Sequence, residues 1–137
     1  MFVTGANLDV PLGTIVLRKG YGLGAQAMAG GDFKAGVFTV GWPTSEFGGM
    51  GLEGFVKLGF RDELAAIDDP AERRVEFERR VARMYEVGKG VSLADHFEID
   101  DVIDPADTRR WIMTMVTADA GAARARSAPR RPHIDTW

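Results

Sequence analysis

Two short apolar runs, each passing into a glycine-rich turn and then into residues at helical spacing, set the terms on which this chain folds. Gly13-Thr-Ile-Val-Leu17 is β-branched and leads to Gly22-Leu-Gly-Ala-Gln-Ala27, whose small residues continue as a helix until Gly30 and Gly31 break it. Ala35 to Trp42 is a second run, bounded by glycine and by Pro43, and suits a strand buried on both faces. Phe47-Gly-Gly-Met-Gly51 follows it as a loop, after which Leu52, Phe55, Val56, Gly59 and Phe60 fall at helical spacing. Strand, turn and helix repeated in this way predict an α/β fold with few strands, in which helices hold more of the residues.

Downstream the helical signals are stronger. Pro70 opens the clearest helix: Phe77, Val81, Met84, Tyr85 and Gly88 mark one face, which needs a partner surface, and Glu76 and Arg80 pair at i,i+4 on another. Phe97 to Ile103 reads as extended. Asp104-Pro-Ala-Asp107 then starts a helix, with a capping acid and proline at the first position. Ile112, Met115 and Val116 supply the inner face of that helix, with Trp111 beside them. From Gly121 to Pro132 the Gly, Ala, Arg and Pro content buries too little apolar surface to order itself. The expected organisation is one domain over residues 1–120 and a basic, flexible tail over 121–137.

Composition sets the outer bounds. With 137 residues, 45% of them hydrophobic, the chain supports one modest core and is too short for two domains of ordinary size. Seventeen Lys and Arg against 20 Asp and Glu leave a formal charge of −3, so nothing overall draws the chain to nucleic acid or to an anionic membrane. Cysteine is absent, which removes both a disulfide framework and a thiolate nucleophile. No apolar run approaches the roughly 20 residues of a membrane span, and the first residues lack the basic start and apolar body of a signal peptide. A cytoplasmic protein is expected.

The turn at Gly22, Gly24 and Ala27 matches G-x-G-x-x-A, the spacing used to cradle a dinucleotide. That use needs the glycines directly after a buried strand and an acid about 20 residues on to hold a ribose. Here Arg18 and Lys19 intervene, and the second run ends in Gly41-Trp-Pro43 with no acid; Glu46 lies beyond the proline. A second chemistry is open to the same residues. Where a strand turns sharply into a helix, the first helical N–H groups are unpaired, and small residues let a carbonyl oxygen approach them. Leu23 and Gly24 stand at that turn, where two amides and the positive helix end would stabilise charge on an oxygen. Glycines placed only for close helix–strand packing remain the third account.

Three stretches taken together resemble a family: Arg18-Lys-Gly-Tyr-Gly-Leu-Gly-Ala-Gln26, Gly41-Trp-Pro-Thr-Ser-Glu-Phe-Gly-Gly-Met-Gly51 and Phe97-Glu-Ile-Asp-Asp-Val-Ile-Asp-Pro-Ala-Asp-Thr-Arg109. In order and spacing they are similar to the C-terminal half of the carboxyltransferase β subunit of biotin-dependent acyl-CoA carboxylases, and the closing Arg-Pro-x-x-Asp-Thr-Trp resembles that family's terminus. The resemblance implies a crotonase-like spiral of ββα turns and transfer of carboxylate from N1′ of carboxybiotin, borne on a carrier protein, to the α-carbon of an acyl-CoA. It further implies that Leu23 and Gly24 supply a catalytic oxyanion hole for the ureido oxygen of biotin. Gly22, Ala25 and Gln26 then belong to the substrate-binding turn, with Gln26 lining the acyl pocket. Relatives carry glycine and alanine at the two amide positions, so Leu23 is a departure, and its side chain must point away from the carbonyl.

Length is the larger departure, since family subunits are several times longer. The implied partners are an N-terminal carboxyltransferase half, the biotin carboxyl carrier or biotin carboxylase subunit, and further copies of the chain; no metal is implied, and neither nucleic acid nor membrane. With half of the charge stabilisation elsewhere, the isolated chain is not expected to carboxylate acyl-CoA. Leu52, Phe55, Val56, Leu58 and Phe60 are numerous for one helix face and are expected to serve both core and contact. The contrasting reading is a non-catalytic assembly module that keeps the helical interface and no turnover.

Other clusters have plainer explanations. Asp100, Asp101 and Asp104 lack the spacing of a calcium loop, and Asp104 is a cap. His96 has no nucleophile motif beside it, and neither G-x-S-x-G nor H-E-x-x-H occurs. Arg73, Arg74, Arg79, Arg80 and Arg83 alternate with Glu as on a solvated helix face, and Arg124, Arg126, Arg130 and Arg131 make a small basic terminus.

Overall fold

Both apolar runs form strands, but each is followed by a second, shorter strand before the chain turns into a helix. The computed structural model describes residues 1–8 and 10–122. After a short helix α1 (Phe2–Ala6) come β1 (Gly13–Val16), β2 (Lys19–Tyr21) and α2 (Gly22–Met28), then β3 (Phe38–Gly41), β4 (Glu46–Gly48) and α3 (Leu52–Gly59). These are two successive ββα turns, the unit implied by the resemblance. The chain continues through α4 (Arg61–Ala65), α5 (Pro70–Val87), α6 (Gly90–Asp95), β5 (Asp101–Val102), a 3₁₀ turn (Pro105–Asp107) and α7 (Thr108–Ala122).

The first strand of each turn enters one parallel sheet and the second strand enters another. Sheet order is β1-β3-β5, with Gly13 opposite Phe38 and Val16 opposite Gly41; β2 and β4 form a separate parallel pair, with Lys19 opposite Glu46 and Tyr21 opposite Gly48. Lys19 therefore belongs to a strand and does not lie in the loop expected for it, and the glycine turn leaves β2 directly. The central strand β3 is buried at all four positions, as its unbroken apolar run requires.

Among the described residues, two clusters pack around the larger sheet and its neighbours, and Leu52, Val56 and Leu64 are buried outside both. Phe38, Val40 and Ile103 pack with Trp111 and Met115, and the Phe38 and Trp111 rings meet edge to face at 5.2 Å. Val16, Phe47 and Ile99 pack with Phe33 and Leu93, where Phe33 meets Phe47 edge to face at 5.4 Å.

Helix α5 starts at Pro70 as expected, with the Asp69 carboxylate accepting the Ala71 and Glu72 N–H groups. Phe77, Val81, Met84 and Tyr85 are half-buried and Gly88 is buried, yet no residue of the helix itself is fully covered. The Glu76–Arg80 pair is present at 2.6 Å but lies half-buried between helices, since Arg80 also meets Glu63 at 2.6 Å and stacks over the Phe60 ring at 4.4 Å. The hydrogen-bonded guanidinium groups of Arg79 and Arg80 hold the Glu76 carboxyl down at about 2. In α3, Leu52 and Val56 are buried while Phe55 and Leu58 face outward, so the apolar face divides between core and surface.

The loop expected from Phe47 begins only after Gly48, since Phe47 and Gly48 pair in β4, and two further expectations change downstream. In α7 the inner residues are Trp111 and Met115, whereas Ile112 and Val116 are exposed. The Trp42 indole donates to the Thr108 hydroxyl at 3.0 Å and Trp111 docks on Phe38, which rotates the helix so that positions 108, 111 and 115 face the sheet. In the run from Phe97 to Ile103 only Asp101 and Val102 form a strand, because Phe97 has φ 59° and closes the C-terminus of α6. The Glu98 N–H donates to the Leu93 carbonyl at 2.9 Å and the Phe97 N–H to the Ala94 carbonyl at 3.0 Å, a Schellman arrangement whose left-handed position favours glycine. The Phe97 residue is 82% exposed, so it offsets none of this backbone cost through packing. Phe97→Gly is expected to stabilise the fold by about 1 kcal/mol, measured as a rise in the urea midpoint at constant m-value; an unchanged or lower midpoint counts against this account.

Candidate functional site

The turn from β2 into α2 is the centre of the site. Tyr21 caps α2 in extended conformation, its side chain makes no capping bond, and Gly22 takes φ +67°. Only glycine reaches that angle without strain, and a Cβ there would also stand 3.2 Å from the Gly49 carbonyl oxygen. The β2–β4 register ends at Tyr21 opposite Gly48, one residue before the helix begins. Leu23 and Gly24 are the second and third residues of α2, so their N–H groups lack an intrahelical acceptor, and no side chain caps the turn.

Gly24 is exposed, with φ outside the left-handed region, and a Cβ built on it meets nothing within 4 Å. Neither internal packing nor backbone conformation requires glycine at that position. In a helix glycine costs about 0.5–1 kcal/mol relative to alanine. The open space beside its Cα is the local feature that lets an external group approach the main chain. Leu23 is 70% exposed, so its side chain is not folded into the core.

Tyr21 fastens this turn from the strand side. Its hydroxyl donates to Glu46 Oε2 at 2.9 Å, across the β2–β4 pair. Burial and this hydrogen bond raise the phenol above its ordinary value, which keeps it a neutral donor. Nearby, the Tyr85 hydroxyl donates to Glu53 Oε1 at 2.8 Å and ties α5 to the first turn of α3.

A cavity of about 450 Å³ opens beside the turn. Its walls include Gly22, Leu23 and Gln26 from the turn, Phe33, Phe47 and Leu52 behind it, and Met84, Val87, Leu93 and Glu98 from the later helices. Of the five residues expected in the site, Gly22, Leu23 and Gln26 line the cavity, while Gly24 and half-buried Ala25 sit beside it on the same helical turn. The walls are mainly apolar, with Gln26 and Glu98 as the ionisable or amide side chains, so a polar ligand held there sits in a medium where N–H dipoles act strongly. Phe33, Met84, Val87, Leu93 and Glu98 are among the walls that sequence spacing did not assign to the site. Met84 carried a partial signal as a member of the α5 stripe, whereas Glu98 reaches the cavity only through the left-handed turn at Phe97.

The remaining candidates are held in structural hydrogen bonds. The Asp100 carboxylate accepts the Thr39 N–H at 2.7 Å, Asp101 the Val102 N–H at 2.8 Å, and Asp104 the Ala106 N–H at 2.8 Å. No group of three or more His, Cys, Asp or Glu able to hold a metal occurs among the described residues. The His96 ring nitrogen Nδ1 lies 2.7 Å from the Ser92 carbonyl oxygen, at the end of α6. The four arginines of the basic terminus and the closing Asp-Thr-Trp lie outside the described residues. Among the described residues no helix is long and apolar enough to cross a membrane.

A family model, the carboxyl transferase domain, matches residues 3–134. The propionyl-CoA carboxylase carboxyltransferase subunit of Haloferax mediterranei is 42% identical over 108 residues, which cover 79% of this chain and 20% of that subunit. Among solved structures, a single-chain, multi-domain long-chain acyl-CoA carboxylase is 59% identical, with a TM-score of 0.70 over 83% of this chain and 11% of that one. A transcarboxylase 12S, a hexamer assembly with methylmalonyl-CoA and methylmalonic acid bound, superposes with a TM-score of 0.77 at 30% identity, over 98% of this chain and 25% of that one. The chain therefore spans a quarter or less of the length of these relatives.

Proposed function

Since the chain belongs to the carboxyl transferase domain family, we propose that it is the C-terminal portion of an acyl-CoA carboxyltransferase and presents the Leu23 and Gly24 amides to the ureido oxygen of biotin. The observation that carries this reading is the uncapped first turn of α2, open at Gly24 and flanked by an apolar cavity. Carboxybiotin on its carrier protein would supply the carboxylate: as the N1′–carboxyl bond breaks and the carboxylate passes to the α-carbon of an acyl-CoA, whose proton N1′ takes up, the Leu23 and Gly24 N–H groups would hold the ureido oxygen on which negative charge gathers. The two N–H groups meet that charge as fixed donors, needing no reorganisation at the moment of reaction. The positive end of α2 adds to them. Gln26, one turn further along α2, sets the polarity of the acyl-facing wall.

The fit to a neutral bicyclic urea rests on this chain's own geometry: apolar walls for the ring, donors for the oxygen, and no side chain crowding Gly24. Completion of the site falls to an N-terminal carboxyltransferase portion, with a biotin carboxyl carrier or biotin carboxylase subunit delivering the cofactor. Exposed Phe55, Leu58, Ile112 and Val116 favour a homo-oligomer over a free monomer, acting in the cytoplasm.

The test is a titration of free biotin and of a biotinylated carrier against the wild type and against Gly24→Pro, which deletes one amide. Saturable binding that weakens in the variant supports the reading. Equal responses overturn it and leave the non-catalytic assembly module in its place.

A further inference from the structure

Phe97 combines two features that folding alone does not explain. It holds φ 59°, in the left-handed region that a bulky side chain rarely enters, and at 82% exposure it is the most exposed large apolar residue among those described. The contacts made at this position do not use the ring. The bonds that close α6 run between main-chain groups, and Lys34 donates through Nζ to the Phe97 carbonyl oxygen. Glycine would supply the same contacts without the backbone cost. A strained residue whose aromatic ring is presented to solvent points to a contact outside the folded chain.

The neighbouring surface says what makes that contact. The cavity beside the Gly22–Gly24 turn continues past Leu93, because Val87, Leu93 and Glu98 also wall a second groove, completed by Arg83 of α5, Ser92 of α6 and His96. His96 and Glu98 are both walls of this groove and Phe97 stands between them, so the exposed ring belongs to the rim of a path that leads out of the cavity. Biotin on a carrier protein hangs from a short flexible arm that ends in an amide to a lysine. A ring seated in the cavity therefore brings the carrier's own surface to this rim. Val87 and Leu93 suit the methylenes of the arm, and Arg83 offers donors for its amide carbonyl.

We propose that Phe97 is the anchor on which the biotin carrier protein docks, its ring entering an apolar hollow beside the biotinylated lysine. Phe97 then distinguishes biotin borne on a protein from the free cofactor. The inference rests on the reading of the Gly22–Gly24 turn as the biotin-facing site.

Calorimetric titration of the full chain with free biotin, biotinyl-lysine, a biotinylated carrier protein and the same carrier without biotin tests this. Phe97→Gly and Phe97→Asn both relieve the left-handed position while removing the ring, so a loss of binding in either is not a loss of folding. The expected result is that each variant binds the biotinylated carrier about ten-fold or more weakly, as when an interface anchor is truncated, with free biotin and biotinyl-lysine bound as by the wild type. Phe97→Tyr keeps the ring and should keep the carrier affinity. Unchanged carrier affinity in Phe97→Gly overturns the proposal, as does a wild type that binds the biotinylated carrier no more tightly than biotinyl-lysine. A loss that falls equally on free biotin also overturns it and makes Phe97 part of the cavity wall. So does a fall in the light-scattering mass of Phe97→Gly alone, which makes a second copy the cover. The biotin reading fails separately: equal free-biotin responses in the wild type and Gly24→Pro, with carrier binding still dependent on Phe97, refute the amide pair and leave the anchor standing.

Discussion

In the carboxyltransferase assembled with its N-terminal portion, Gly24→Pro is expected to lower kcat by about 10²–10³-fold, the usual effect of removing one oxyanion donor. The loss should fall on kcat and kcat/KM together, with KM for acyl-CoA little changed, because the amide acts on charge that develops only as N1′ is released. Gly24→Ala is the matching control. It keeps the N–H and places a methyl group where nothing lies within 4 Å, so folding and most of the activity should survive. Proline at this position also presses on the helical conformation of Leu23, and circular dichroism of the variant separates a lost donor from a lost turn. Full activity in Gly24→Pro would remove the amide from the mechanism.

A large effect on stability is expected at Gly90. A Cβ added there would lie 2.0 Å from Ser45 Oγ, and the same hydroxyl would sit 2.3 Å from a Cβ on Gly41. Ser45 is thus clasped between two glycines, with its hydroxyl buried and unpaired. Gly90→Ala should destabilise the chain by about 2–3 kcal/mol through overpacking. Ser45→Ala removes both the obstacle and a buried hydroxyl without a partner, and should stabilise by about 1 kcal/mol. The double variant should recover most of the loss, giving a coupling energy of about 1–3 kcal/mol in urea unfolding. Additive effects would mean that Gly90 matters for some reason other than Ser45.

The clasp also shapes the site. The Gly90 N–H donates to the Ser45 carbonyl at 2.9 Å and the Phe47 N–H to the Gly88 carbonyl at 2.7 Å, so β4 is stitched to the junction of α5 and α6. Phe47, Gly48 and Gly88 are cavity walls on either side of that seam. Gly88 is fixed by the same closeness, since a Cβ on it would meet the Phe47 carbonyl oxygen at 2.5 Å. The long central motif from Gly41 to Gly51 is in this sense a packing motif as much as a functional one.

How far the structure was legible in the sequence depends on how much each element owed to its own residues. β1 and β3 are apolar enough to read directly, and α5 and the segment after Asp104 announce themselves by an acid followed by proline. β2 and β4 are Lys-Gly-Tyr and Glu-Phe-Gly, three residues each with no apolar alternation, and they are strands only because each satisfies the other. The rotation of α7 was decided by Trp42 and Phe38, more than 60 residues earlier, rather than by the apolar spacing within the helix. At the site, the glycine turn was visible because its constraint is local: a left-handed Gly22 and a short helix behind it. The far wall was not, because Leu93 comes from α6 and Glu98 follows a phenylalanine in a conformation that sequence patterns assign to glycine.

The most direct measurement is the amide proton shift of Leu23 and Gly24 in the ¹⁵N-labelled chain as biotin is added to saturation. Two N–H groups that donate to a ureido oxygen should both move downfield along one binding curve, with the amides of α7 unmoved. If both resonances stay in place while biotin binds elsewhere, or if the shifts spread evenly over the chain, the turn at Gly22–Gly24 is not the biotin-facing site.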